Sequence, residues 1–287
     1  MSNKELPIYN IEDFNSETEF YCNELTLHLK EHHFIHKPHK HDFFLIVLFT
    51  HGTGTHEIDF TSYKVTPGTV FMLRPGQTHN WKLSKDIDGY IFFHSKNFYD
   101  SIAISQKIHD YPFFSSIHNP PIITFKNKPK EKLTSLFAEM KKEYEEDNLL
   151  KFQKLHTLTT LAYIELTRSY QTQTPVKSTL YQLKVKQLED LIDIHFKTLK
   201  FSYQYADKMA ISEKHLNRIC RSCLNKTTTD IITDRIILEA KRSLAHTQLS
   251  INQIAESLGY ADASYFSRLF KKRTGETALT FMKKNRH

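Results

Sequence analysis

Hydrophobic residues near the C-terminus recur at the spacing of short helices. Ser250 is a residue type that caps helix N-termini, and Gly259 suits the positive φ at which a helix ends. The apolar positions between them lie at i, i+3, i+4 and i+7 and are Ile251, Ile254, Ala255 and Leu258. Behind Asp262, a second N-cap type, a second helix is predicted with Phe266, Leu269 and Phe270 as core. The opposite side of this second helix carries Ser264, Ser267, Arg268, Lys271 and Lys272. Two short helices joined by a glycine turn, the second one basic outside, indicate a helix-turn-helix.

The same pattern occurs 49 to 50 residues upstream, where Ala206 aligns with Ala255 and Arg218 with Arg268. The upstream copy departs from the downstream one at its turn, in its core and at its C-terminus, with Ala210, Cys220 and Asn225. The last change is benign, because Asn tolerates the left-handed conformation better than other non-glycine residues. Residues 228–245, between the copies, show one continuous helical pattern. The sequence therefore predicts two helix-turn-helix motifs joined by a longer helix.

The first part of the chain has the pattern of short strands. Residues 24–30 alternate, with Leu25, Leu27 and Leu29 on one side, and residues 43–50 form a continuous apolar run typical of a buried strand. Glycine and proline turns separate further predicted strands at 56–60, 63–65, 69–73, 79–83 and 89–94, and residues 122–125 suggest one more. This spacing indicates a sandwich or a small barrel.

Two helical patterns follow, at 131–148 and 152–170, and then a short polar stretch that contains a proline. The predicted fold is α+β and multidomain. Residues 1–126 form a β-barrel, 127–170 a helical pair, 171–180 a linker, and 181–287 an all-α domain.

Charge is divided unevenly between these parts. Residues 1–180 contain 20 Lys and Arg against 21 Asp and Glu, whereas residues 181–287 contain 19 against 11. The net charge of the whole chain, +7, therefore comes from its helical last third. Such an excess on a small domain is expected for a polyanionic partner, and a basic solubilising surface is the alternative.

Other features of composition exclude several classes of protein. No apolar run in the 287 residues is long enough for a membrane helix. The N-terminal segment MSNKELPIYN lacks a signal-peptide pattern, so we expect a cytoplasmic protein. Three cysteines, Cys22, Cys220 and Cys223, make no disulfide framework. We interpret the C-x-x-C of Cys220 and Cys223 as packing, because both lie within one predicted helix. The chain has no nucleophile elbow, P-loop or dinucleotide fingerprint.

The segment SYFSRLFKKRTG closely resembles the second helix-turn-helix of AraC/XylS-type transcription regulators. One departure is Ala278, where the family usually has a proline at the start of the next helix. The resemblance implies that the connecting helix holds the two motifs about one DNA turn, roughly 34 Å, apart. The N-terminal order of motifs, from His39 to Phe43 through Pro67-Gly68 to Gly89-Tyr90, is similar to the cupin-type effector domain of the family. In that family the helical pair commonly supports dimerisation; the alternative is that it caps the barrel.

The resemblance implies which residues contact double-stranded DNA. On the exposed side of the two recognition helices these are Lys214, His215, Asn217, Arg218, Ser264, Tyr265, Ser267 and Arg268. Each of the two arginines can bind a guanine with two hydrogen bonds, and Asn217 can pair with adenine. Lys271, Lys272 and Arg273 are expected at phosphates. The alternative for each residue is a solvated helix face.

Histidines are dense in the predicted barrel, with six between His28 and His41. His39 and His41 point the same way if extended, and His79 lies beside a predicted turn. Three imidazoles could hold a divalent metal, as in enzymatic cupins, but the glutamate expected after the paired histidines is missing. We therefore assign no metal, cofactor or catalytic residue. His39, His41, His79 and Trp81 are instead candidates for binding an organic effector.

Together these features predict a DNA-binding transcription regulator, an activator that responds to a small molecule bound in the barrel. Its expected partners are promoter DNA, an unidentified effector, RNA polymerase and a second copy of itself, with no membrane. A metal-dependent cupin enzyme with an appended helical domain is the main alternative. An interaction module without a DNA target is a third interpretation.

Overall fold

The computed structural model describes residues 6–14, 19–32, 37–103, 106–116, 118–125, 128–173 and 179–286. The chain divides into two compact units, Pro7–Pro175 and Val176–His287, and Leu6 is grouped with the second. The strands of the N-terminal unit are β1 (Ile8–Tyr9), β2 (Phe20–Glu24), β3 (Lys40–His41), β4 (Phe44–His51), β5 (Gly54–Ile58), β6 (Thr61–Val65), β7 (Thr69–Leu73), β8 (His79–Leu83), β9 (Asp88–His94) and β10 (Ile122–Thr124). Its helices are α1 (Leu25–Glu31), α2 (Lys96–Asp100), α3 (Pro112–Ser115), α4 (Lys128–Glu145) and α5 (Lys151–Gln173), with 3-10 turns at Ile11–Asp13 and Ile108–Asp110.

The strands make a five-stranded antiparallel sheet in the order β10-β7-β4-β9-β2, a three-stranded antiparallel sheet β6-β5-β8, and a parallel pair β1-β3. Strand β4 is apolar from Phe44 to Phe49 because both of its faces are covered there. Leu45, Val47 and Phe49 face a core shared with the three-stranded sheet, whereas Phe44 and Ile46 belong to a second core that includes residues of α4 and α5. A strand covered on both faces has no polar side.

Two details of the N-terminal prediction change. Residues 25–30, predicted as a strand, lie in helix α1: Leu25 and His28 are buried one turn apart, while Leu27 is exposed. The alternation of leucines fits a helix as well, because Leu25 and Leu29 are one turn apart on the same face. Among the described residues the sheets do not close into one continuous barrel; a single bridge between His39 and His79 joins the β3 and β8 regions.

Helices α4 and α5 pack on the outer face of the five-stranded sheet. Leu133, Phe137 and Leu155 share a buried cluster with Ile46 and Phe92 of that sheet. The pair therefore caps the sheet, and dimerisation through it stays a prediction. Of the predicted linker 171–180, residues 171–173 belong to α5 and residues 179–180 to the next helix, which begins at Thr179. The middle of the linker, 174–178, lies outside the described residues.

The C-terminal unit is helical throughout its described residues. Its helices are α6 (Thr179–His195), α7 (Ser202–Lys208), α8 (Glu213–Leu224), α9 (Thr228–His246), α10 (Ile251–Ser257), α11 (Ala263–Thr274) and α12 (Ala278–Asn285). Local chemistry sets most helix starts. Ser212, Thr227, Ser250, Asp262 and Thr277 each accept a hydrogen bond from the first turn of the helix that follows. The predicted caps at Ser250 and Asp262 are confirmed, and α12 starts at Ala278 without the proline.

No helix in the described ranges is long and apolar enough to span a bilayer.

Candidate nucleic-acid interface and effector pocket

The first helix-turn-helix consists of α7 and α8. Leu216, Ile219 and Cys220 are fully buried, so α8 packs on one face and presents the other. Its outer face carries Lys214 and Arg218, both exposed, and the half-buried His215. The Arg218 Nη2 donates to His215 Nδ1 at 2.7 Å. The sequence-predicted residues of this helix therefore do lie together on one side.

The second helix-turn-helix consists of α10 and α11. Phe266 and Phe270 are fully buried, whereas Leu269, predicted as core, is half-buried. The Arg268 side chain is 70% exposed, and its guanidinium lies 3.8 Å from the Asp262 carboxylate at the helix start. The remaining candidates on this face are the exposed Ser264, Tyr265, Lys271 and Lys272 and the half-buried Ser267. Both motifs thus expose an arginine at the same repeat position.

An open groove of about 780 Å³ runs along the first recognition helix. It is lined by Ser212, Lys214, His215, Asn217, Arg218, Arg221, Thr227 and Thr229. Arg221, exposed one turn after Arg218, was missing from the sequence prediction. The repeat contained the signal for it, because Arg221 aligns with Lys271 at the same offset of 50 as Arg218 with Arg268.

Two predicted DNA contacts are engaged within the protein. The Asn217 side-chain oxygen accepts a hydrogen bond from the Thr228 backbone N–H at 3.0 Å, at the start of α9. A two-bond contact with adenine also uses that oxygen, whose direction the Thr228 bond constrains. Arg273 Nη2 donates to Asp230 Oδ1 at 2.7 Å and so links α11 to α9. The hydroxyl of Thr227 and then Arg273 lower the pKa of the Asp230 carboxyl to about 2.

All three cysteines are free thiols. Cys22 and Cys220 are buried, and Cys220 Sγ lies 3.5 Å from the Thr228 hydroxyl, beneath the first recognition helix. Burial raises the pKa of Cys220 to about 11. The thiol is therefore protonated at neutral pH and behaves as a packing group.

The four effector candidates of the N-terminal unit, His39, His41, His79 and Trp81, are all buried and lie together. The His79 ring centroid lies 4.4 Å from that of His39, 5.0 Å from that of His41 and 5.4 Å from that of Trp81. His56 completes the group: its Nε2 lies 2.9 Å from His79 Nδ1. We call these five residues the imidazole cluster. His56 is not among the residues predicted from the sequence, although strand alternation with Ile58 indicates that it faces inward.

Several buried polar atoms of this cluster find no hydrogen-bond partner among the described residues. They are His41 Nε2, His56 Nδ1, His79 Nε2 and Trp81 Nε1, and the neighbouring Thr78 hydroxyl joins them. His39 and His41 each donate Nδ1–H to a backbone carbonyl, that of Lys37 and that of Phe43, which leaves Nε2 as an acceptor in the neutral ring. Buried polar groups are normally paired, so these atoms carry hydrogen-bonding capacity that the described residues leave unused.

The cluster is uncharged at neutral pH. Burial and then the neighbouring imidazoles lower the pKa of His56 to about 3. Burial also dominates at His41, where it lowers the pKa to about 3, and at His79, whose pKa lies well below its ordinary value. An ionic guest would find no opposite charge on these rings. The rings and the indole therefore offer neutral N–H donors and ring-nitrogen acceptors.

Within the described ranges, no three His, Cys, Asp or Glu side chains are arranged to hold a metal ion. His28 and His32, from the histidine-dense stretch, contact the Tyr21 hydroxyl at 3.0 and 3.4 Å. His33 and His36 lie outside the described residues.

Two protein families match the chain in the order of these two units. Residues 22–157 match the family described as AraC-like ligand binding domain, and residues 205–284 match a family described as Helix-turn-helix domain. The chain is 23% identical over 244 residues to the HTH-type transcriptional activator RhaS of Escherichia coli O1:K1 / APEC. The alignment covers 82% of this chain and 83% of that protein. RhaS of Shigella dysenteriae serotype 1 matches with the same identity and coverage.

Solved structures with similar folds include ToxT from Vibrio cholerae strain SCE256 bound to an unsaturated fatty acid. It is 14% identical, with a TM-score of 0.44 over 93% of this chain and 95% of that chain. The C-terminal domain of AraT, a response regulator from Geobacillus stearothermophilus, is 26% identical, with a TM-score of 0.35 over 36% of this chain and 87% of that chain. At such TM-scores neither structure adds to the argument.

Proposed function

The chain belongs to the AraC family of transcription regulators, and on this premise we propose that it activates transcription by binding promoter DNA with α8 and α11. The observation that carries the proposal is the repeated, exposed arginine: Arg218 and Arg268 occupy equivalent positions on two recognition helices whose other faces are buried. The excess of basic residues in 181–287 supports the same partner. The assignment as an activator rests on the similarity to the transcriptional activator RhaS, and action with RNA polymerase in the cytoplasm is part of the same proposal.

Substitution of each arginine by alanine tests this proposal. We expect Arg218→Ala and Arg268→Ala each to weaken binding to the target promoter by about 1–3 kcal/mol and to relax base preference at different positions. Lys271→Ala or Lys272→Ala should instead reduce affinity for all DNA sequences alike. Each should also lower the slope of log affinity against log salt concentration by about one, the value of one phosphate contact. The measurement is a titration of promoter fragments at several salt concentrations.

The matched control is Arg168→Ala, which removes an exposed arginine of α5 in the N-terminal unit and should leave DNA affinity unchanged. Should Arg218→Ala and Arg268→Ala keep both wild-type affinity and wild-type base preference, the two recognition helices are not the DNA-binding surface. Loss of specific binding without loss of salt dependence would agree with the proposal, because the phosphate contacts remain.

The imidazole cluster is our proposed effector site, and the chemistry of its unpaired atoms defines the effector class. We propose a small uncharged molecule that has both hydrogen-bond donors and acceptors. Trp81 is the chain's single tryptophan, so its fluorescence reports directly on this site. A screen of uncharged and anionic compounds by thermal shift, followed by Trp81 fluorescence, tests the proposal. A ligand present at a free concentration of 100 times its Kd stabilises the folded protein by about 2.7 kcal/mol.

Trp81→Phe removes the indole N–H and keeps an aromatic ring. It should therefore weaken effector binding about fivefold to tenfold, while the protein stays folded. A hit that stabilises the protein equally in the Trp81→Phe variant binds elsewhere. Preferential binding of anionic compounds would contradict the assigned class, because the cluster holds no cation at neutral pH.

Homodimerisation through α4 and α5 belongs to the same proposal. What supports it is an exposed apolar residue of α5, Leu161, on the side away from the buried Thr159 and Tyr163. We expect a dimer in sedimentation velocity and a shift toward monomer with Leu161→Asp. A monomer at all concentrations would leave the capping role as the function of the helical pair.

A further inference from the structure

The side chain of Lys200 lies where the two helix-turn-helix motifs meet. Its ammonium group donates to the Phe196 carbonyl, just after the end of α6, and to the Leu258 carbonyl, at the end of α10, the latter at 2.5 Å. Helix α6 packs against α7 and α8, which form the first motif, and against the connecting helix α9, whereas α10 opens the second motif. One cation therefore bridges the C-terminal end of a helix packed on the first motif and that of a helix within the second.

This position is favourable for a cation for two reasons. Carbonyl groups at a helix C-terminus lack partners within the helix and lie at the negative end of its dipole. The ammonium also lies over the Tyr260 ring, 4.9 Å from its centroid, which adds a cation–π contact from the second motif. Burial raises the pKa of Tyr260 to about 12, so this ring stays neutral under ordinary conditions.

The turn of the second motif is fitted closely to the same place. Gly259 has φ of +80°, and a Cβ built there would lie 1.9 Å from the Lys197 carbonyl oxygen and 3.3 Å from Lys200 Nζ. Backbone thus approaches backbone with no room for a side chain. The contact between Gly259 and the end of α6 is independent of the ammonium hydrogen bonds, and both join the same two segments.

We propose that Lys200 is a positioning residue that couples the two helix-turn-helix motifs, so that their recognition helices bind two DNA half-sites at one fixed spacing. The proposal rests on the DNA-binding function proposed above. Linked binding modules gain affinity when their geometry lets both bind at once, and lose that gain when the geometry is loose. Lys200 itself contacts no base in this proposal; it acts through the relative position of α8 and α11.

The test uses the full chain and duplexes that the wild type selects from a random-sequence library. Three probes follow from the best duplex: the duplex itself, a version with one half-site scrambled, and a version with one base pair inserted between half-sites. Lys200→Met keeps the apolar stem but removes the donors. We expect it to weaken binding to the intact duplex about tenfold and to discriminate less against the inserted base pair. Binding to the single half-site should stay within about twofold of wild type.

Two variants control for indirect effects. Lys197→Met removes an exposed lysine of the same segment, whose ammonium lies over the Phe196 ring, and should behave as wild type on all three probes. Lys200→Arg keeps a cation and should restore most of the spacing preference. Melting temperatures of all variants establish that each is folded.

The pH profile gives a readout that general destabilisation would not produce. Partial burial lowers the pKa of Lys200 to about 8, so the ammonium loses a proton and its charge as pH rises through that value. The groups that face it are the neutral Tyr260 ring and two backbone carbonyls. Wild-type spacing preference should therefore fall between pH 7 and 9, whereas that of Lys200→Arg should persist.

Equal losses on the intact duplex and on the single half-site would overturn the coupling role, because they indicate damage within one motif. Wild-type behaviour of Lys200→Met on every probe would overturn it as well. If the wild type selects no sequence from the library, the DNA-binding proposal itself fails, which is a separate result.

Discussion

The two helix-turn-helix motifs follow one template but solve the same turn differently. The second motif turns at Gly259 with φ of +80°, and the first turns at Ala210 with φ of +51°. Alanine in this conformation costs roughly 1–2 kcal/mol, which the first motif tolerates. The second motif could not make that exchange, because its turn lies against the Lys197 carbonyl. The comparison teaches that the turn requires a positive φ in both motifs, and that the close approach of the Lys197 carbonyl makes glycine a steric requirement in the second motif.

The largest test of this comparison is Gly259→Ala. The substitution adds left-handed strain and forces Cβ against a backbone carbonyl, so we expect a loss of about 2–4 kcal/mol in the free energy of unfolding. The reciprocal change, Ala210→Gly, relieves strain but increases the entropy of the unfolded chain, so its net effect should be under about 1 kcal/mol. Chemical denaturation of both variants measures the difference. Comparable effects of the two substitutions would show that the Lys197 contact is not a constraint.

The C-terminal ends of the recognition helices give a smaller effect. Asn225 and Gly275 both adopt the left-handed conformation, with φ of +53° and +83°, and a Cβ at Gly275 meets nothing within 4 Å. We expect Asn225→Ala and Gly275→Ala each to cost about 1 kcal/mol, since strain alone opposes them. Gly275→Asn should cost less than Gly275→Ala. If Gly275→Ala proved as costly as Gly259→Ala, the steric distinction between the two glycines would fail.

The smallest effect concerns the ion pair between Arg273 and Asp230. In the first motif the position that corresponds to Arg273 is occupied by Cys223. Both side chains are about one-third exposed, so Arg273→Ala should cost under about 1 kcal/mol. Lys272→Ala removes the same charge from its exposed neighbour and should cost less.

The pH dependence of this ion pair has a definite sign. The pKa of Asp230 is lowered to about 2 in the folded protein, and an unfolded Asp titrates near 3.9. Its contribution is therefore complete above about pH 4 and is lost as pH falls toward 2. The wild type and Arg273→Ala should converge in stability over that range. A constant difference between them down to pH 2 would contradict the assignment.

The buried imidazoles of the N-terminal unit predict an additional dependence at higher pH. His28, His41 and His56 have pKa values lowered to about 3, below the value near 6.5 of an unfolded histidine. The unfolded chain then binds more protons below about pH 6.5, so stability should fall from there toward pH 3. This loss belongs to the N-terminal unit, and tryptophan fluorescence, which reports on Trp81, should follow it.

Much of the candidate DNA-binding surface could be predicted because it depends on local patterns. Caps at Ser250 and Asp262, the glycine at 259 and the arginine repeat are recognisable within a few residues of sequence. The prediction failed where a distant segment decides the role of a side chain. Asn217 lies on the exposed face by periodicity, yet its oxygen bonds the N-terminus of α9. Likewise, Leu25–Glu31 alternates like a strand but is helical, because Leu25 and His28 pack inward one turn apart.

By itself the sequence determined the two domain types, the duplicated motif and the position of its basic residues, because each follows from hydrophobic spacing and charge that act over one or two turns. Only the tertiary structure decided that His56 joins His39, His41, His79 and Trp81, and that Lys200 bridges two motifs. Residues 56 and 79, or 200 and 258, are far apart in the chain, and no periodicity relates them. Their meeting depends on strand register and helix packing, which the whole folded chain sets.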